Sequence, residues 1–209
     1  MAAMNGARLG PDGLAQFVRT QASGTDRYLL GIAGPPGSGK STLATELARS
    51  LDAMVVPMDG FHLPNAELDR RGLRHVKGAP ATFDAVGFVA AMAALRRAAD
   101  EVLLPTFDRG ADEPVPGMIR VAGTECIVIV EGNYLLLDRP PWVELRDVFD
   151  AIAYVDVDHA TRLHRLIARH VEFGRSLADA TTFVHESDEA NTALVEASRA
   201  EADVFVDVD

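Results

Sequence analysis

Gly34-Pro35-Pro36-Gly37-Ser38-Gly39-Lys40-Ser41 completes the pattern G-x-x-x-x-G-K-[ST], and Thr42 follows it. The apolar run Tyr28 to Ala33 precedes it and reads as a strand, while Ser41 to Leu51 reads as a helix. Glycines let the backbone wrap a phosphate with its N–H groups pointing inward. The N-terminus of the next helix adds partial positive charge. Lys40 can reach β- and γ-phosphates, and the Ser41 hydroxyl can ligate Mg²⁺. A chance glycine-rich turn is disfavoured because all the specified positions match in strand–turn–helix order. Gly34, Pro35, Pro36, Gly37, Ser38, Gly39, Lys40, Ser41 and Thr42 are therefore expected to hold a nucleoside triphosphate, taken as ATP.

Bulk properties narrow the rest. A chain of 209 residues, 48% hydrophobic and 24% charged, suits one α/β domain spanning 1–209. The net charge of −11 argues against a nucleic-acid partner, because phosphate backbones repel an acidic surface. It does not exclude a small anionic substrate, because local arginines can override the overall charge. Cys126 is the sole cysteine, so no intrachain disulfide forms, and its apolar neighbours predict a buried, inert thiol. No apolar run approaches a membrane span, and Met1 to Asp12 lacks a signal-peptide core. A cytoplasmic protein without a membrane partner is expected. The residues leave oligomeric state open, a homodimer included.

Along the chain, Asp12 to Ser23 reads as an amphipathic helix with Leu14, Phe17 and Val18 on one face. Ala53 to Pro57 is a second strand. Asp59 to Pro80 is predicted to be a long, functional connection. Asp84 is placed to cap a helix running to about Ala98. Val102 to Pro105 reads as a short strand, with Met118 to Ala122 as a hairpin arm beyond a polar loop. Ile127 to Val130 and Ala151 to Val157 are β-branched or apolar runs expected of buried parallel strands. Helical stretches cover about His159 to Phe173 and Leu177 to Arg199, and Val204 to Val206 forms a last strand. Strands alternating with helices predict a three-layer α/β/α fold with a mainly parallel sheet and ligands at the strands' carboxyl ends.

Several polar motifs fall near those ends. Asp59, in Met58-Asp59-Gly60-Phe61-His62, follows the second strand. That strand is expected beside the first, which would bring Asp59 close to the γ-phosphate. There it could accept a proton from a substrate hydroxyl, help order Mg²⁺, or simply form an Asx-turn. Glu131 ends the Ile127 strand and suits a Mg²⁺ ligand, the alternative being a solvated strand end. Arg162, Arg165 and Arg169 share helical spacing with His170, and Arg175 follows Gly174. They read as a lid over about 162–176, or as a solvated basic face. Lys77 to Asp84 and Pro105 to Arg109 each put an aromatic ring and charges at the predicted ligand edge. Either could equally be a capped loop with a packed phenylalanine. His62, His75 and His170 are not at zinc-ligand spacing.

Taken in order, these segments resemble the P-loop kinases that include uridine kinase, phosphoribulokinase and bacterial pantothenate kinase. Asp59-Gly60-Phe61 through Pro64-Asn65, Arg71-Gly72-Leu73, Lys77-Gly78-Ala79-Pro80 and Phe83-Asp84 is similar to the pantothenate kinase pattern D-G-F-x-x-P-N…R-G-L…K-G-x-P-x-x-[YF]-D. Val130-Glu131-Gly132 resembles the family's V-E-G, and Pro105 to Arg109 its substrate-side segment. Glu186 to Asn191, then Ala202-Asp203-Val204, is similar to the tail of small relatives, some named fructose transport system kinases. The lid departs from the uridine kinase pattern R-D-x-x-x-R-G-R. Arg169-His170-Val171-Glu172-Phe173-Gly174-Arg175 has His for Asp and Phe for one Arg, and is one residue shorter.

The resemblance implies ATP-dependent transfer to a hydroxyl of a small metabolite. It makes Asp59 the base and Lys40 and Arg169 catalytic, with Arg165 on the nucleotide and Ser41 and Glu131 on Mg²⁺. Asp59, His62, Lys77, Phe83, Phe107, Arg109, Tyr134 and Arg175 are the expected acceptor contacts. The acceptor is a sugar, a nucleoside or a pantothenate-like alcohol. An ATPase or regulatory module without an acceptor is the rival reading.

Overall fold

A computed structural model describes residues 6–208. Chain order begins with β1 (Ala7–Leu9), α1 (Pro11–Ala22), β2 (Tyr28–Ala33), α2 (Lys40–Leu51) and β3 (Met54–Pro57). Next come α3 (Asn65–Arg71), α4 (Ala85–Arg97), β4 (Val102–Asp108), β5 (Glu113–Val121) and β6 (Ile127–Gly132). The chain finishes with β7 (Ala151–Asp156), α5 (His159–Glu172), α6 (Leu177–Phe183), α7 (Glu189–Ala197) and β8 (Val204–Asp207). Six strands form one parallel sheet in the order β1-β8-β7-β2-β6-β3, and β4 and β5 form a separate antiparallel hairpin.

The β-branched runs are explained by burial on both faces. Along β2, Leu29 and Ala33 enter one core with Val128, Val130, Phe88 and Met92. Leu30 and Ile32 enter the other, with Leu14, Val18, Leu43 and Leu47. The period-two alternation sends successive side chains to opposite layers, so a continuous apolar strand is what a central position needs. Asp84 caps α4 as its sequence suggests, accepting from the Gly87 amide.

Four expectations are corrected. The strand after the loop helix does not neighbour the loop strand, because β6 lies between β2 and β3. The stretch 59–80 is not a bare loop. A 3₁₀ turn over Met58–Phe61 and helix α3 occupy it. Backbone bonds from Leu63 to Thr82 (2.8 Å) and from Asp84 to Phe61 (2.8 Å) fold it back on itself. Cys126 is exposed: it precedes the first residue of β6, and although its carbonyl accepts from the Tyr28 amide (2.7 Å), its side chain is left uncovered. The hairpin arms are longer than predicted, so Phe107 stands in a strand and Arg109 in the short turn, with a register shift between Leu104 and Thr106.

Leu177 to Arg199 is helical but not one helix: a π-turn, Val184–Asp188, separates α6 from α7. No helix among the described residues is long and apolar enough to cross a membrane.

Candidate active site

The phosphate loop joins the carboxyl end of β2 to the first turn of α2 and packs beneath α5. Gly37 has φ +80°, and a Cβ there would come within 2.6 Å of Leu166 Cγ and 3.0 Å of the Arg162 carbonyl oxygen. Only glycine supplies both that dihedral and that clearance. Lys40 is buried, and its Nζ donates to the Pro35 carbonyl (2.9 Å). Burial lowers its pKa to about 8 against the opposing charges of Glu131 and Asp59, and Arg169 depresses it further. Arg169 itself has no ion-pair partner among the described residues. Two cations thus converge beside the loop, an arrangement suited to phosphate oxygens. Ser38 Oγ is the one buried side-chain oxygen among the described residues without a hydrogen-bond partner, and it too lies within the loop.

Glu131 is the hinge between loop and acid. In the sheet register it pairs with Ile32 on one side and Pro57 on the other. Pro57 is two residues before Asp59, so strand order places Asp59 beside Glu131 and not beside β2. The Asp59-Gly60 turn lies against the backbone of β4, where any Cβ on Gly60 would overlap the Pro105 carbonyl. Ser41 Oγ donates to Glu131 Oε1 (2.9 Å). Burial, then the Asp59 charge, pushes the Glu131 carboxyl above its usual range. A buried carboxylate with a single side-chain donor is short of positive charge. Mg²⁺ fits this donor set, being an oxygen-loving ion that keeps waters and phosphate oxygens around one or two carboxylates. Among the described residues no group of three or more His, Cys, Asp or Glu side chains is arranged to hold a metal.

Lys40, Ser41, Asp59, Glu131 and Arg169 line one cavity of about 620 Å³. That volume lies within the range of small-molecule sites. His62, Lys77, Phe83, Phe107, Arg109 and Arg175 line it too, so most predicted acceptor contacts come together there. Arg109 Nη2 lies 3.4 Å from Asp59 Oδ2. His62 Nδ1–H donates to the Asp59 carbonyl (2.8 Å), and its ring stacks 3.9 Å from Phe83 and 5.0 Å from Phe107. Burial lowers the His62 pKa, which disfavours the charged ring. Lys77 Nζ reaches Asn65 Oδ1 (2.7 Å) and Asp112 Oδ2 (2.9 Å).

Other predicted residues fall elsewhere. Tyr134 is fully buried and off the cavity wall, and its hydroxyl donates to the Gly78 carbonyl (2.5 Å). Thr42 is exposed in the first turn of α2, outside that wall. Arg165 lies beside the loop, its Nη1 3.6 Å from a Cβ placed on Gly39, and lines a second cavity of about 710 Å³ with Asp158 and Val208. Arg162 is 1% exposed and held by Glu189 and by Thr192 Oγ1 (3.0 Å), so it belongs to the packing of α5 on α7. Arg74, Asp112, Asp188 and Asn191 line the first cavity without having been singled out as site residues. The resemblance of Glu186 to Asn191 to related tails was the available signal for the last two.

A family model described as the phosphoribulokinase / uridine kinase family matches residues 29–209. A Schizosaccharomyces pombe protein provisionally named a uridine kinase is 36% identical over 194 residues, covering 86% of this chain and 83% of that protein. A pantothenate kinase from Nocardioides sp. is 35% identical over 147 residues, covering 64% of this chain and 45% of that enzyme. The crystal structure of a Silicibacter sp. TM1040 protein, provisionally named a fructose transport system kinase, is 38% identical with a TM-score of 0.88. That similarity covers 94% of this chain and 98% of the other.

Proposed function

The chain belongs to the phosphoribulokinase / uridine kinase family, and from that premise we propose that it transfers the γ-phosphoryl group of ATP to a hydroxyl of a small metabolite. The carrying observation is that the cavity does not end at the phosphate loop. It continues past Asp59 to His62, Phe107 and Asn191, which leaves space for an acceptor beside the triphosphate. A simple ATPase needs room for water only.

Each step has a residue. The loop amides and Lys40 grip the phosphates, and Arg169 offsets the charge spread over the transferring group. Ser41 and Glu131 would hold Mg²⁺, which when bound neutralises phosphate charge. Asp59 accepts the acceptor's hydroxyl proton as that oxygen bonds to the γ-phosphorus. The bond to the β–γ bridging oxygen breaks, and ADP leaves with the electron pair. Arg109 orients the Asp59 carboxylate through their 3.4 Å contact. Arg165 and the second cavity lie where a nucleoside could extend from the loop. The lid is taken as the part of 162–176 beyond Leu166, because the Arg162 side chain is buried against α7 and Leu166 against Gly37 of the loop. Arg175, exposed and 4.1 Å over the Phe183 ring, sits on that movable part.

The test is ATP consumption with and without a panel of sugars, nucleosides and hydroxy acids, repeated with Asp59→Asn. Stimulation by one acceptor class, with kcat falling about 10²-fold or more in the variant and ATP affinity little changed, supports the proposal. Turnover indifferent to every acceptor, or an Asp59→Asn variant within a few-fold of wild type, would sink it.

A further inference from the structure

At the carboxyl ends of β7 and β8 the sheet register sets Asp156 opposite Asp207. Like charges directly opposite on neighbouring strands repel. One guanidinium from the next strand offsets both. β1 pairs with β8, with Arg8 opposite Phe205, and the Arg8 side chain reaches past β8. Its Nη1 donates to Asp207 Oδ1 (2.5 Å) and its Nη2 to Asp156 Oδ2 (2.7 Å). Arg199 Nη2 donates to the same Asp156 oxygen (2.8 Å). Both guanidiniums lie over the Phe205 ring, 5.5 and 5.4 Å from its centre. An isolated surface ion pair contributes little, but a planar fork shared by two carboxylates and stacked on a ring is a network with fixed geometry. β1 lies before the residues matched to the family.

Both carboxylates line the second cavity, and each leads to a group that meets the phosphate loop. Val208, next after Asp207, comes within 3.8 Å of a Cβ placed on Gly39. Asp156 leads through Val157 to Asp158, which caps α5 by accepting from the Thr161 amide (2.9 Å). That helix carries Arg165, 3.6 Å from the same Gly39 position. Among the described residues the lining holds Asp156, Asp158 and Asp207 against Arg165 alone. Such a balance would repel a nucleotide, which is itself an anion. Arg8 and Arg199, behind the wall, reverse it, and Arg8 alone touches both strand ends. We propose, on the basis of the kinase reading, that Arg8 is a positioning residue for ATP. It ties the ends of β7 and β8 into one neutralised wall on which the nucleoside part rests. The N-terminal strand is thereby part of the nucleotide site.

Calorimetric binding of ATP and of inorganic tripolyphosphate, each with Mg²⁺, tests this. Tripolyphosphate engages the loop and has no nucleoside to rest on the wall. Arg8→Met keeps an apolar stem over Phe205 and removes the fork. It should raise the ATP Kd about fivefold, the scale of a surface charge network, and leave the tripolyphosphate Kd within about twofold. A disturbed fold would weaken both ligands together, which separates positioning from a structural role. Adding Asp207→Asn removes one of the two facing charges and should return the ATP Kd to within about twofold of wild type. An unchanged ATP Kd in Arg8→Met, an equal loss for both ligands, or no recovery in the double variant overturns the proposal. Each of these leaves the kinase reading standing as long as the wild-type protein binds tripolyphosphate. Wild-type protein that binds neither ligand fails the kinase reading itself, and the role of Arg8 falls with it.

Discussion

Lys40 shows how one residue's burial becomes a measurable pH dependence. Its folded pKa, about 8, lies below the ordinary lysine value of 10.5 because burial disfavours the charge. The cation is what a triphosphate binds. Below pH 8 the site is already protonated and affinity should be flat. Above pH 8 binding must first take up a proton, so nucleotide Kd should rise by up to about tenfold per pH unit. Calorimetric titration across pH 7 to 10 checks the slope, and a Kd flat over that range would mean that the Lys40 charge does not hold the phosphates. The same depression means that Lys40 contributes stability as pH rises from 8 to 10.5 in the ligand-free protein, because the unfolded chain then holds the extra proton. For Glu131→Gln, shape and the Ser41 bond are kept while the charge is lost. We expect Mg²⁺-dependent turnover to fall at least about tenfold and metal-free nucleotide binding to change little. Equal losses in both assays would make Glu131 a packing residue. Lys40 and Glu131 were readable in the sequence because their motifs are local. The exposure of Cys126 was not, since a neighbouring apolar run says nothing about where a strand begins to be covered.

At the scale of elements, a buried arginine outside the site joins three segments. Arg27 precedes β2, is 7% exposed, and donates to the carbonyls of Leu95 (2.7 Å), Ala122 (2.8 Å), Gly123 and Glu125 (both 3.1 Å). It thereby closes the C-terminus of α4 and the connection from β5 to β6. Arg27→Met keeps the bulk and removes every donor. The variant should lose about 3 kcal/mol by urea denaturation, the cost of several unpaired buried carbonyls, with KM values near wild type. A loss below about 0.5 kcal/mol would mean that water reaches those carbonyls. The strands and main helices were legible because burial on both faces writes β-branched runs and a capping Asp84 writes a helix start. The segment 59–80 was not. Its 3₁₀ turns and α3 are held by long-range bonds to Thr82, Phe61 and the hairpin, which leave no periodic signature.

For the whole molecule, a ligand that bridges β2, β3, β6 and α5 should stabilise the fold as one unit. Nucleotide with Mg²⁺ at a hundredfold over Kd adds about 2.7 kcal/mol, or about 5 to 10 °C in Tm for a domain of this size. Differential scanning fluorimetry should show that shift for wild type and none for Lys40→Ala. An equal shift in both would place the bound nucleotide elsewhere. By itself the sequence determined the phosphate loop, the α/β class and the two-sided burial of the sheet. All of these follow from local spacing and periodicity. The tertiary structure alone decided that β6 lies between β2 and β3, and hence that Glu131 stands next to Asp59. It also anchored the first turns of α5, sent Tyr134 into the core and turned Asp188 and Asn191 toward the cavity. Lateral strand order and the facing of a helix depend on which distant surfaces pack together, and no short window of residues carries that choice.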